Sequence, residues 1–92
     1  MNKILVKDLL KGGSYPDGGA ELYNLAYPII SNNQIVNIDL TDVDSVPTLF
    51  MNMSFGKLIS DFGKIKVMKS LKFFNITKSQ LERIKKYFSN FK

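Results

Sequence analysis

Residues 34–40 (QIVNIDL) form a β-branched run suited to a central strand, and the segments on either side of it carry apolar residues at helical spacing. Before the run, Leu22, Leu25, Ala26 and Ile29 follow the i, i+3, i+4, i+7 pattern of one buried helix face. After it, Met51, Phe55, Leu58, Ile59 and Phe62 share another such face, with Gly63 placed where a glycine ends a helix. The alternation continues outwards. Ile4-Leu5-Val6 and Leu9-Leu10 make a first strand candidate, closed by Lys11-Gly12-Gly13 and a turn-rich stretch over residues 14–19. Pro28 is expected to remove a hydrogen bond or kink the last turn of the first helix, and Ser31-Asn32-Asn33 reads as a stop. Residues 64–70 are ambiguous, and residues 71–76 (LKFFNI) read as the last strand. In the final helix Thr77 and Gln80 match a capping box, and Leu81, Ile84, Phe88 and Phe91 follow at helical spacing.

The order β-α-β-α-β-α predicts an α/β fold: a short, mostly parallel or mixed sheet packed with three helices. At 92 residues the chain is expected to be one domain over its whole length. A hydrophobic content of 45% suffices for its core.

The chain contains neither His nor Cys. Disulfides, thiolate metal sites and the Ser-His-Asp and Cys-His arrangements are therefore excluded, and neutral-pH proton transfer loses its usual carrier. We expect a non-enzyme with no cofactor and no metal. Lys3, Lys7 and Asp8 interrupt any leader-like apolar run, and no segment approaches the ~20 apolar residues that cross a bilayer. The expected setting is cytoplasmic, with no membrane partner.

Three clusters invite a chemical reading. Gly13 and Gly18 have the separation of a phosphate loop, but Gly19-Ala20 stands where Lys-Ser/Thr would reach the phosphates, so a plain turn is favoured. Asp39, Asp42 and Asp44 gather at the end of the central run, where a hard cation or a phosphoacceptor chemistry comes to mind. Their spacing fails the calcium-loop pattern, and the simpler expectation has Asp44 or Ser45 capping the next helix. Finally, Val46-Pro47-Thr48 opens that helix, where a phosphate on Thr48 or Ser45 would be welcomed by the amides. Leu49, Phe50 and Met53 fall outside the helix's core stripe, which marks either deep burial or a contact surface.

Charge is lopsided. Residues 1–63 carry four lysines and seven acids, a net of −3, whereas residues 64–92 carry nine Lys/Arg and only Glu82, a net of +8. This basic third supports an alternative reading as a nucleic-acid binder using Lys72, Lys78, Arg83, Lys85 and Lys86.

From Val36 onward the chain resembles the STAS-like domain-of-unknown-function family, small relatives of the anti-sigma-factor antagonists. The resemblance is carried by Val36-Asn37-Ile38-Asp39-Leu40-Thr41-Asp42-Val43, by Pro47-Thr48-Leu49-Phe50, by Ser54-Phe55-Gly56-Lys57-Leu58, and by Leu71-Lys72-Phe73-Phe74-Asn75. The glycines between Gly12 and Gly19 sit where members also have a glycine-containing turn. The resemblance implies a STAS-like fold and a regulatory, protein-binding role. The partner it implies is an ATP-binding, kinase-like anti-sigma protein, and Thr48 lies where antagonists are switched by phosphorylation. Their Asp-Ser-Ser-Gly signature is replaced here by Pro47-Thr48-Leu49-Phe50, which leaves protein binding through residues 41–53 as the safer inheritance. The expected contact residues are Asp42, Ser45, Thr48, Leu49, Phe50 and Met53.

Overall fold

The computed structural model describes residues 2–91. Three strands, β1 (Lys3–Leu5), β2 (Val36–Asp39) and β3 (Leu71–Phe74), form one sheet in the order β1-β2-β3. Both pairings are parallel, with Ile38 opposite Ile4 on one side and Phe73 on the other. Helices α1 (Val6–Leu9) and α2 (Tyr15–Ser31) join β1 to β2. The second crossover holds α3 (Thr48–Met51), a π-helical turn (Asn52–Gly56), α4 (Lys57–Phe62) and α5 (Lys64–Ser70), and α6 (Lys78–Asn90) follows β3. The fold is α/β as expected, with the sheet wholly parallel and more helical segments than the three foreseen.

Parallel crossovers are right-handed, so strands laid down in one direction across a sheet send all their helices to the same face. The core follows that rule. Ile4, Val36, Ile38 and Leu71 meet Leu22, Phe55, Leu58, Ile84 and Phe88 in one cluster on a single side. The alternate strand residues Lys3, Leu5, Asn37, Asp39, Lys72 and Phe74 lie on the other face by the period of two.

Several elements depart from their sequence reading. The first strand ends at Leu5, because its partner β2 ends at Asp39, and Val6 to Leu9 coil into α1 instead of extending the strand. Helix α2 starts at Tyr15, inside the expected turn: the Ser14 hydroxyl accepts from the Asp17 amide at 3.3 Å, and Pro16 occupies the first turn. Gly18 and Gly19 are therefore buried helix residues, and the Gly18 amide bonds the Ser14 carbonyl at 3.0 Å. That disposes of the phosphate-loop reading. A methyl on Gly18 would lie 3.0 Å from the Leu9 carbonyl oxygen, and one on Gly19 would lie 2.5 Å from that of Phe50. The glycines let α1 and α3 press against α2.

The helix runs past Pro28 to Ser31, with the proline on its exposed side. Its core face is Leu22, Ala26 and Ile30, while Leu25 is 45% exposed. Other expectations hold. Asn33 turns the chain with a φ of 60°, Gly63 ends α4 with a φ of 86°, and both halves of the Thr77–Gln80 capping box are formed.

Candidate functional site

The segment after β2 begins with a carboxylate that fixes the backbone. Asp39 is buried, and its Oδ1 accepts from the Thr41 amide at 2.9 Å, the Thr41 hydroxyl at 2.6 Å and the Asn75 side chain at 3.0 Å. Its Oδ2 pairs with the Lys3 ammonium at 3.3 Å. The hydrogen bonds from Thr41 and Asn75 hold this carboxyl well below the usual carboxylate range, against the opposing effect of burial. These four contacts join β1, β2 and the turn after β3. Asp39 is thus a structural anion, and Asp42 lies apart from it, exposed and 3.6 Å from the Lys7 ammonium.

Beyond Asp39 the loop is pinned from beneath. Val43 and Val46 are buried, and the buried Gln80 side chain donates to the Val43 carbonyl and, at 3.5 Å, to that of Asp44. Asp42 takes a left-handed φ of 61°, a conformation that Asp tolerates better than most residues. With those anchors inside, Asp42, Asp44 and Ser45 are left exposed on a loop that is held in place.

Neither Asp44 nor Ser45 caps the helix that follows, contrary to expectation. Pro47 occupies the N-cap position with extended backbone and without a side-chain bond, and its carbonyl accepts from the Met51 amide at 3.1 Å. The next two residues, Thr48 and Leu49, are exposed, Leu49 at 52%.

Phe50 does not belong to this surface. Only 2% exposed, it stacks edge-on with Phe55 and lies beneath Gly19 of α2. Met53 is half-buried, its Cβ 2.9 Å from where a methyl on Gly19 would stand. The physical reason is the π-helical turn. It inserts a residue into the 3.6 period, so α3 presents Phe50 and Met51 inward while α4 presents Leu58 and Ile59. Burial thus accounts for Phe50 and in part for Met53, whereas Leu49 stays exposed.

Across from Thr48 stands a stripe of α6. Arg83, Lys86, Tyr87 and Asn90, at i, i+3, i+4 and i+7, join Thr48 and Asn52 in lining an open cleft of about 490 Å³. The Tyr87 hydroxyl donates to the Asn52 side-chain oxygen at 2.8 Å, and burial pushes the Tyr87 pKa up. It fits because Gly56 leaves room: a methyl there would lie 2.6 Å from the hydroxyl. Among the described residues no acid lines the cleft, and neither Arg83 nor Lys86 has an acidic partner. The sequence flagged both cations only as members of a basic third. Their i, i+3 spacing, continued at Asn90, was the signal that one helix face holds them together.

The site thus brings together four of the expected contact residues, Asp42, Ser45, Thr48 and Leu49, as exposed neighbours in sequence on a fixed loop and helix start. It adds a cationic wall from α6. No helix among the described residues is long and apolar enough to cross a membrane. The family model for the STAS-like domain of unknown function (DUF4325) matches residues 18–81. No curated protein and no solved structure matches the chain. The chain belongs to that STAS-like family.

Proposed function

We propose that this STAS-like domain is a non-enzymatic regulatory module, cytoplasmic in setting, that docks a partner protein through the 41–47 loop and the first turn of α3. The observation that carries the reading is Leu49, a large apolar side chain half in solvent on a segment whose neighbours are anchored by Val43, Val46 and Gln80. A preorganised loop loses little freedom on binding, and an exposed leucine on the same segment as the exposed Asp42, Ser45 and Thr48 offers a partner apolar and polar contacts together. The family resemblance supports a kinase-like, ATP-binding protein as the partner.

Thr48 is the proposed point of control. A phosphate adds roughly −1.5 to −2 charges at neutral pH. Here it would meet Arg83 and Lys86 across the cleft, two cations without an acidic partner among the described residues. Charge added at Thr48 would tie α3 to α6 and change the surface a partner meets.

Affinity capture from the native cell, read by mass spectrometry, tests the docking face. Leu49→Asp is expected to keep the wild-type circular dichroism spectrum, because the side chain contributes little to the core, and to lose the captured partner. A variant that folds and still captures the same protein in the same amount would exclude this face.

A further inference from the structure

A second concave surface lies on the other flank of α6. Between α5 and α6, along the core side of the edge strand β3, runs an open groove of about 530 Å³. Its floor is apolar, made by Leu71 and Phe73 of β3 with Ile84 and Phe88 of α6. Met68 of α5 stands at the margin, 55% exposed. Lys64 and Lys85 line the two helical walls, and among the described residues no acid lines the groove. The groove shares no residue with the cleft beside Thr48, since Ile84, Lys85 and Phe88 face one and Arg83, Lys86 and Asn90 the other.

We propose that this groove seats an amphipathic α-helix of a partner protein, with large aliphatic side chains on one face and carboxylates along its borders. The floor offers side chains without hydrogen-bonding groups, so the occupant must satisfy its own backbone, which a helix does. A strand added to the free edge of β3 would pair its backbone but leave the space between α5 and α6 unfilled. A nucleic acid would meet the lysines but bring nothing to cover the apolar floor. A bilayer favours a convex apolar projection, whereas this surface is concave. Lysines on both walls select acids on both borders of the incoming helix, and that charge match sets the preference between otherwise equal apolar faces.

The test uses the whole chain with a fluorescein-labelled helical peptide bearing leucines on one face and glutamates on the other. Its controls are a twin with lysines for the glutamates and vesicles containing phosphatidylglycerol. Anisotropy is expected to give saturable binding of the glutamate peptide and binding of the lysine twin about tenfold weaker, the factor that ~1.4 kcal/mol produces. Lys64→Glu combined with Lys85→Glu, checked for folding by circular dichroism, should reverse that order. Met68→Asp should weaken the glutamate peptide about tenfold, and Leu49→Asp should leave it unchanged, which separates this groove from the docking face near Thr48. Equal affinity for the two peptides, a preference that survives the double charge reversal, or retention by vesicles with no peptide binding would each overturn the proposal.

Discussion

At the scale of single residues, Asp39 sets the most exacting condition on the fold. Four donors converge on it from three parts of the chain: Lys3 on β1, Thr41 by both amide and hydroxyl, and Asn75 after β3. All four favour the ionised form, so the carboxyl titrates lower in the folded chain than in the unfolded one, where an aspartate has a pKa of about 3.9. A depressed folded pKa gives stability that is complete above the unfolded value and is lost as pH falls through it towards the folded one. Urea unfolding followed between about pH 6 and pH 2.5 should therefore show the wild type losing stability on acidification more steeply than Asp39→Asn, with the gap between them narrowing at the acid end. Parallel curves would mean that the anion is not what secures the loop. The residue type and its position at a strand end were plain in the sequence, and they suggested metal or phosphoryl chemistry. What the sequence could not display was Asn75 and Lys3, distant in the chain, arriving to occupy the carboxylate.

At the scale of elements, what could be read in advance divides according to how local its cause is. The Thr77–Gln80 capping box is decided within one turn and was legible. So was the end of α4 at Gly63. The start of α2 was not, because Gly18 and Gly19 resemble turn glycines until α1 and α3 are seen to lie against them. The burial of Phe50 was hidden for a related reason, since the π-helical turn changes the register between α3 and α4 and no local pattern announces it. Thr48 and Leu49 are exposed at the start of α3, while the α6 wall beside them depends on packing that no local pattern announces.

The contact between α2 and α3 gives this scale its prediction. A methyl on Gly19 would press to 2.5 Å from a backbone oxygen, which cannot swing aside as a side chain can. Alanine is the better helix former by about 1 kcal/mol, but overpacking costs about 1–3 kcal/mol and sometimes more. Gly19→Ala is thus expected to lower stability by up to about 2 kcal/mol net, read as a lower urea midpoint. Gly12→Ala, where nothing lies within 4 Å, should leave it nearly unchanged. Equal midpoints for the two variants would show that α2 and α3 do not meet so closely.

At the scale of the whole molecule, the one-sided sheet decides how the basic third of the chain is spread. Lys72 lies opposite Asn37, on the sheet face away from the helices. Arg83 and Lys86 line the cleft beside Thr48, and Lys85 lines the groove along β3. Lys78 is at the start of α6. The five cations proposed for a nucleic-acid footprint are therefore divided between the two sides of the sheet and between two flanks of one helix, and a stiff duplex can meet only part of them at once. Each phosphate neutralised on a duplex contributes about 0.9 to the slope of log K against log salt, so five acting together would give a slope of roughly −4.5. Anisotropy titration of a labelled duplex is expected to give a slope no steeper than about −2 and no saturable binding at physiological salt. A slope of about −4 or steeper would require the cations to gather on one surface, and nucleic-acid binding would then displace protein docking as the reading of this domain.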